Sequence, residues 1–322
     1  MSLESIRAPI AQDMQSVDAV IRRRLASDVV LVRTIAEYII AAGGKRLRPA
    51  LVLLSANALG ANGPVRHELA AVIEFIHTAT LLHDDVVDES SLRRGRKTAN
   101  AEFGNAASVL VGDFLYSRAF QMMVDVGNVR VMQVLSQATN VIAEGEVLQL
   151  LNVHDPDTDE ESYLRVIRYK TAKLFEAATQ VGAILGGADE AKERSLTEFG
   201  MHLGTAFQVI DDVLDYSGDL ADTGKNLGDD LAEGKPTLPL IRAMQVGNAG
   251  ERALVRRAIE EGGKEGLDAV VAAIRRTGAL DYARERAREE AALATQRLAA
   301  LPGSACKDSL LQLAHFSVER KF

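Results

Sequence analysis

The 322-residue chain is long enough for one large domain or two small ones, and a core of that size needs no disulfide to be stable. Its net charge of −8 argues against a general nucleic-acid binder, and no nucleic-acid partner is predicted. The single cysteine, Cys306, excludes an intramolecular disulfide, and an unreactive thiol is expected there. No apolar signal sequence or membrane-spanning run is present, so a cytoplasmic location is predicted.

Apolar residues recur at helical spacing almost throughout, and no convincing alternation of period two appears, so the pattern predicts an all-α protein. Gly43-Gly44 ends the first clear helix, and Pro49 fits the first turn of a helix that closes at Gly60. The next helix runs to about Asp88. Further helices are predicted over residues 105–126, 129–151, 159–186, 190–216, 236–247, 251–262, 265–277, 279–299 and 305–319.

Two helical stretches, Ala70–Leu82 and Ala106–Met123, are apolar around much of their circumference, which is typical of helices in the middle of a bundle. No linker-like or low-complexity tract interrupts the chain. We therefore predict a single domain, a helical bundle, over residues 1–322. Two charged segments, Asp88–Lys97 and Gly218–Lys235, lack helical periodicity, and a loop as long as the second is usually functional.

Two aspartate clusters of the same form end apolar helical stretches, namely Asp84-Asp85-Val86-Val87-Asp88 and Asp211-Asp212-Val213-Leu214-Asp215. On a helix, the first and last aspartate of each cluster lie one turn apart, with Cβ atoms about 5–6 Å apart. Such carboxylates repel one another, whereas a hard divalent cation accepts them as ligands and binds phosphates in turn. One copy could equally be a solvated helix end, but two copies with one spacing indicate metal sites.

Several basic residues accompany the clusters: Lys45 and Arg48 at a helix start, Arg93 and Arg94 after Asp88, Lys170 beside Thr171, and Lys225 and Lys235 in the glycine-rich segment. Each alone could be a solvated surface charge. Together they are what a substrate pair with two polyphosphate groups requires. His77 lies two helical turns before Asp84 and on its face, so it is either a core histidine or part of the site.

These residues resemble the motifs of the trans-polyprenyl diphosphate synthase family, most closely its bacterial octaprenyl members. The resemblance covers essentially the whole chain in family order, through Gly43–Pro49, Glu74–Asp88, Arg93–Gly95, Lys170–Ala172, Phe207–Asp215, Gly224–Asp230 and Glu233–Pro239. It implies the isoprenoid synthase fold and repeated head-to-tail condensation of isopentenyl diphosphate onto an allylic diphosphate, farnesyl diphosphate being the expected primer. It also implies Mg²⁺ as the cofactor and a homodimer, and it allows a transient membrane contact during product release.

The resemblance also implies a role for each site residue. The metal ligands would be Asp84, Asp88 and Asp211, with Asp85, Asp212 and Asp215 in support. The allylic diphosphate would be held by Arg93, Lys170, Thr171, Gln208, Lys225 and Lys235, and isopentenyl diphosphate by Lys45, Arg48, His77 and Arg94. The catalytic set would be Asp84, Asp88, Asp211, Lys170 and Lys225.

Product length in this family depends on the fifth residue before the first aspartate, where bulky aromatic side chains give short products. Here that residue is Ala79, followed by Thr80, with Ile76 one turn earlier. Small side chains would leave the hydrocarbon tunnel open, which predicts an octaprenyl or similar product suited to a quinone side chain. Candidates for the tunnel floor, each of which also fits ordinary core packing, are Phe114, Phe120, Met122 and Met123.

One motif departs from the short-chain pattern, because Gly145-Glu146-Val147-Leu148-Gln149 replaces Gly-Gln-x-x-Asp, and its polar contacts are left open. A solanesyl or other long-chain synthase, a non-catalytic partner subunit and a class I terpene cyclase remain as alternatives. Two intact aspartate clusters with their cations argue against the partner subunit. Cyclases usually lack the second full cluster and an isopentenyl diphosphate site.

Overall fold

The structure, a computed structural model, describes residues 2–41, 43–93, 95–217, 227–263 and 265–320. Arg94 and Lys225, both predicted to bind diphosphate, lie outside the described residues, as do residues 218–226 of the glycine-rich segment. The first helices are α1 (Leu3–Arg7), α2 (Ala11–Arg24), α3 (Val30–Ala41), α4 (Leu47–Ala58), α5 (Val65–Val87), α6 (Ala99–Phe103), α7 (Asn105–Val126), α8 (Val129–Asn152) and α9 (Glu160–Ile167). A π-helix (Arg168–Ala172) follows α9.

The remaining helices are α10 (Lys173–Leu185), α11 (Glu190–Ser217), α12 (Asp229–Ala232), α13 (Leu238–Val246), α14 (Ala249–Glu261), α15 (Leu267–Arg276), α16 (Ala279–Arg297) and α17 (Ala305–Glu319). Short 3₁₀ turns cover Ala8–Ile10 and Leu298–Ala300. The predicted all-α class is confirmed. In the described part of the chain, no helix is both long and apolar enough to cross a lipid bilayer.

A short β-hairpin interrupts the helices after α5. Strands β1 (Leu92–Arg93) and β2 (Arg96–Lys97) pair antiparallel, with Arg93 opposite Arg96. Gly95 has a φ of 70°, a left-handed conformation that glycine adopts without a steric cost. Thr98 closes the hairpin, because its hydroxyl donates a hydrogen bond to the Ser90 carbonyl at 2.7 Å. The hairpin turns the chain back toward the end of α5.

The chain divides into two compact units, and each carries one aspartate cluster. Unit one comprises Met1–Thr139, Leu174–Gly200 and Arg297–Leu313, and it contains Asp84–Asp88. Unit two comprises Asn140–Lys173, Met201–Gln296 and Ala314–Phe322, and it contains Asp211–Asp215. The single domain over residues 1–322 stays a prediction.

Helix α5 is the centre of the unit-one core and packs mainly against α7 and α4. The expectation that α5 is surrounded by protein agrees with its long run of buried side chains. For α7 the expectation is wrong, because its buried residues, such as Val111 and Leu115, fall on one face at helical spacing. Leu110 and Val124 on α7 remain 66% and 61% exposed. In unit two, the core gathers apolar side chains from α11 and from α13 to α16.

Candidate active site

The first aspartate cluster lies at the carboxyl end of α5. Asp84 and Asp88 are half-buried, and the Asp88 amide donates to the Asp84 carbonyl at 2.8 Å as the helix ends. The helix dipole places partial negative charge at this end, so it disfavours carboxylates there and favours a cation. The dipole and the paired carboxylates therefore both make this helix end a place where a divalent cation would be stabilised.

Asp85, the middle residue of the cluster, is only 1% exposed. Its Oδ1 atom accepts hydrogen bonds from Nε and Nη2 of Arg93 at 2.9 and 2.7 Å. The Asn100 side chain also donates to the Asp85 carbonyl at 3.0 Å. Burial raises the pKa of Asp85, and the Arg93 guanidinium acts in the opposite direction. Arg93, predicted to bind the allylic diphosphate, thus binds Asp85 and fixes the hairpin to the cluster.

The second cluster has the same arrangement near the end of α11. Asp212, its middle residue, is 3% exposed and accepts hydrogen bonds from the Tyr163 hydroxyl at 2.6 Å and from Nε2 of Gln208 at 2.8 Å. Burial and the nearby charge of Asp230 raise the pKa of Asp212 well above its usual range, whereas the bonds from Tyr163 and Gln208 lower it. Asp211 and Asp215, one turn apart, stay half-buried.

Asp215 connects this cluster to residues 228–230 of the glycine-rich segment. Its carboxylate accepts hydrogen bonds at 3.2 Å from the backbone amides of Asp229 and Asp230, which begin α12. Its carbonyl accepts from the Gly228 amide at 2.9 Å. This part of the glycine-rich segment is therefore hydrogen-bonded directly to the cluster. Lys235, a predicted diphosphate ligand, forms an ion pair with Glu233, in which Nζ and Oε2 are 2.5 Å apart.

The predicted isopentenyl diphosphate residues of unit one lie in the loop before α4, in the first turn of α4 and on α5. Nη1 of Arg48 lies 3.1 Å from Nε2 of His77 on α5, and its guanidinium lies 4.5 Å from the centre of the Phe175 ring. Arg48 and His77 are therefore adjacent, as their shared predicted role requires. Lys45 is half-buried in the loop directly before α4. A small cavity of about 50 Å³ is lined by residues that include His77 and Asp85, so it joins this group to the first cluster.

Arg46 stabilises the conformation of the loop before α4, and the sequence analysis assigned it no role. It has a φ of 44°, a left-handed conformation that is strained for any residue with a side chain. Its guanidinium forms an ion pair with Glu74 on α5, and both side chains are largely buried. The ion pair offsets the strain and directs the backbone between Lys45 and Arg48.

Replacing Arg46 separates the contribution of its ion pair with Glu74 from the cost of its left-handed backbone conformation. Arg46→Ala should lower the free energy of unfolding by about 2–3 kcal/mol, because it leaves the Glu74 carboxylate largely buried without its partner. Arg46→Gly should recover about 1 kcal/mol of that loss, because glycine relieves the left-handed strain. Urea unfolding of the two variants, with Arg23→Ala as an exposed ion-pair control, measures both differences. Equal stability of the alanine and glycine variants would contradict the strain argument.

The π-helix presents Lys170 and Thr171, and it divides the single helix predicted over residues 159–186 into α9 and α10. Nζ of Lys170 lies 2.6 Å from Oε1 of Gln149 and 2.6 Å from Oε2 of Glu146. Thr171 donates to Oε1 of Gln208 at 3.0 Å. The polar contacts of the Gly145–Gln149 motif, which the sequence analysis left open, are therefore made to the Lys170 ammonium by the carboxylate of Glu146 and the side-chain amide of Gln149. A Cβ at Gly145 would lie 2.7 Å from the Lys170 amide nitrogen, so only glycine fits there.

Glu290 on α16 anchors the start of the π-helix. It accepts a hydrogen bond from Nη2 of Arg168 at 3.1 Å, and its other oxygen lies 2.6 Å from Nδ1 of His202. Burial raises the pKa of Glu290, but His202 and Arg168 outweigh burial, so the pKa lies below its ordinary value of 4.5. A carboxyl with a depressed pKa stabilises the folded state above its unfolded pKa and loses that contribution as the pH falls.

The lowered pKa of Glu290 predicts that the effect of Glu290→Gln on stability depends on pH. The variant should be less stable than the wild type above about pH 5, and the difference should shrink as the pH falls below the ordinary carboxyl pKa. Urea unfolding of both proteins over a pH series gives the difference directly. A stability difference that does not change with pH would show that the charge of Glu290 is not what anchors the π-helix.

The predicted chain-length residues lie in the α5–α7 pair. Ala79 and Ile76 are fully buried, and Thr80 is half-buried with its hydroxyl donating to the His77 carbonyl at 2.8 Å. Of the candidates on α7, Met122 and Met123 are buried, whereas Phe114 and Phe120 are half-buried. All four candidates lie on α7, which packs against α5, and their role in product length stays a prediction.

The chemistry of the outer aspartates fits Mg²⁺. Within the ranges that the structure describes, no group of three or more His, Cys, Asp or Glu side chains is gathered as a ready-made metal site. Mg²⁺ is usually bound by one or two carboxylates together with substrate phosphates and water. Asp84 and Asp88, paired at a helix end and half-buried, offer such carboxylates, and so does Asp211 in unit two.

Comparison with known proteins places the chain in a family. The polyprenyl synthetase family model matches residues 29–276. The octaprenyl diphosphate synthase of Escherichia coli is 54% identical over 321 residues, covering 99% of both chains. The all-trans-nonaprenyl-diphosphate synthase (geranyl-diphosphate specific) of Rhodobacter capsulatus is 50% identical, covering 98% of both.

A solved structure agrees with this result. The polyprenyl synthase from Caulobacter crescentus, crystallised with calcium and isoprenyl diphosphate, superimposes with a TM-score of 0.96 at 44% identity, covering 100% of this chain and 98% of that one. The similarity extends over the full fold, and the sequence match over the full length. The chain is a member of the polyprenyl synthetase family.

Proposed function

We propose that the protein is a long-chain all-trans-polyprenyl diphosphate synthase. It would condense isopentenyl diphosphate repeatedly onto an allylic diphosphate, farnesyl diphosphate, and give octaprenyl diphosphate for a quinone side chain. The observation that carries the proposal is the common arrangement of the two clusters. In each, the middle aspartate is buried and bonded by protein groups, and the outer two remain half-buried on one helix face. The 54% identity to an octaprenyl diphosphate synthase supports the product length.

In the proposed reaction, the bond between the allylic carbon and diphosphate oxygen breaks, and the electron pair leaves with diphosphate. When bound, Mg²⁺ would neutralise the negative charge that develops on the leaving group. We assign Asp84, Asp88 and Asp211 to hold the metal. Lys170, Thr171, Gln208, Lys225, Lys235 and Arg93 are assigned to the same diphosphate. Glu146 and Gln149 fix the Lys170 ammonium in place, so it needs little reorganisation when charge develops.

The second substrate is assigned to the group around the Arg46 loop. Lys45, Arg48, His77 and Arg94 would hold the diphosphate of isopentenyl diphosphate, and the contact between Arg48 and His77 supports a shared role. The alkene electron pair then forms the new carbon–carbon bond to the allylic carbon. A proton is lost to restore a double bond, and we assign its acceptor to the departing diphosphate. Apolar walls must exclude water, because water would otherwise capture the allylic cation.

Product analysis tests this proposal. Incubation with farnesyl diphosphate, isopentenyl diphosphate and Mg²⁺, followed by chromatography, should give octaprenyl diphosphate as the main product. A nonaprenyl product would support the proposed condensation reaction but contradict the proposed chain length of eight isoprene units. Cyclic hydrocarbons would instead support a terpene cyclase. Binding of Mg²⁺ without consumption of isopentenyl diphosphate would support a non-catalytic partner subunit.

A homodimer is part of the proposal, and α7 supports it. This helix is apolar around much of its circumference but is covered on one face only, leaving Leu110 and Val124 exposed. A second copy of the chain would cover such a face. Sedimentation should show a dimer that Leu110→Lys weakens, and a stable, active wild-type monomer would contradict it. The cytoplasmic location and a transient membrane contact during product release also remain proposals.

A further inference from the structure

Arg320, directly after α17, makes an unusual set of contacts with the helix that carries the second cluster. Its side chain is 2% exposed, and Nη2 lies 2.6 Å from Oδ1 of Asp211. The same nitrogen donates to the Phe207 carbonyl at 2.7 Å, and the guanidinium lies 3.8 Å from the centre of the Phe207 ring. Nε also donates to the Ser317 carbonyl at 3.4 Å. No role follows for Arg320 from the motifs of the sequence.

The geometry of these contacts constrains Asp211. Phe207 and Asp211 are four residues apart on α11, so they lie one above the other on the same face. Arg320 stacks on the first and pairs with the second, and its planar guanidinium allows both contacts at once. The Asp211 side chain is 33% exposed, whereas Arg320 is almost completely enclosed. The buried Arg320 guanidinium therefore holds the Asp211 carboxylate, and part of that carboxylate remains accessible to solvent.

We propose that Arg320 is a positioning residue that fixes the orientation of the Asp211 carboxylate for cation binding. The inference rests on the proposed function, in which Asp211 is a metal ligand. The arrangement follows a general feature of metal sites, in which neighbouring groups orient the ligands and their loss weakens metal affinity about 10- to 100-fold. The positive charge of Arg320 by itself opposes cation binding, so the orientation of Asp211, not electrostatic attraction, is the expected benefit.

Arg320→Lys isolates orientation because it keeps the charge and removes the planar, stacked contact. Calorimetric titration with Mg²⁺ in the presence of inorganic diphosphate should show about tenfold weaker Mg²⁺ binding than in the wild type. In steady-state assays, the Mg²⁺ concentration for half-maximal rate should rise by a similar factor, while the KM for isopentenyl diphosphate should stay unchanged. Phe207→Leu, which removes the ring beneath the guanidinium, should change Mg²⁺ binding in the same direction by a smaller factor.

The control is Arg257→Gln on α14, an exposed arginine that pairs with Glu261 one helical turn away; it should leave Mg²⁺ binding unchanged. Wild-type Mg²⁺ affinity in folded Arg320→Lys would overturn the proposal, as would a loss of folding in both Arg320→Lys and Phe207→Leu. If only Arg320→Lys fails to fold, Phe207→Leu decides. A wild-type protein that does not bind Mg²⁺ with diphosphate would instead refute the proposed function itself.

Discussion

Asp84→Ala should lower turnover by at least about 10³-fold while leaving the fold intact. Asp84 is half-buried at the end of α5, where it can help hold the metal that neutralises the leaving diphosphate. Such charge stabilisation is worth several kcal/mol, and about 1.4 kcal/mol corresponds to a tenfold change in rate. The thermal unfolding midpoint without metal should change little, because the variant loses both the repulsion between Asp84 and Asp85 and the attraction between Asp84 and Arg93.

The controls distinguish charge from shape. Asp84→Asn keeps the shape of the side chain and removes its charge, so it should lose activity to a similar degree. Asp18→Ala removes an exposed carboxylate from α2 and should leave turnover unchanged. Initial rates at saturating Mg²⁺, together with unfolding curves, give the comparison. Near-normal turnover of Asp84→Ala would refute the assignment of this residue to the metal.

Ala79→Phe should shorten the product while the first condensation stays active. Ala79 is fully buried, so a phenyl ring must enter space that is either tunnel or packed core. If the position borders the tunnel, the ring blocks elongation after one or a few additions. If it borders packed core, the ring overpacks the helix and lowers the free energy of unfolding by about 1–3 kcal/mol without changing the product. Chromatography of the products and urea unfolding separate these results.

Ala70→Phe is the matched control for this experiment. Ala70 is also fully buried on α5, and nine residues turn a helix by about two and a half turns, so it lies on the opposite face. We expect it to lose stability and to keep the wild-type product length. A product distribution unchanged by Ala79→Phe would show that the tunnel does not pass this residue.

Local signals predicted most of the helices. The predicted helices at residues 105–126, 190–216 and 305–319 agree with α7, α11 and α17 to within one residue at each end, because glycine, proline and polar residues interrupt the apolar pattern there. The π-helix could not be recognised, since it differs from an α-helix only in hydrogen-bond register, and no residue type signals that change. The β-hairpin was likewise too short to show an alternating pattern.

The residue types of the site were predictable, but their partners were not. Spacing along a helix predicted that His77 and Asp84 share a face, and both lie on the continuous helix α5. The resemblance, and not the spacing, grouped His77 with Arg48, which it contacts. By contrast, the partner of Asp211 is Arg320, more than one hundred residues away. Such a pairing depends on how two helices pack, which a single sequence does not encode locally. The ion pair of Arg46 was hidden for the same reason.

The π-helix makes its stretch of chain sensitive to a change in length. Arg168, Lys170 and Thr171 reach partners on three different helices from within four consecutive residues. Deleting one residue would restore regular α-helical hydrogen bonds but rotate one side of the deletion by about 100° relative to the other. The three contacts could then not be kept together. Insertions and deletions between Arg168 and Ala172 should therefore be tolerated far less than substitutions, even where they make the helix more regular.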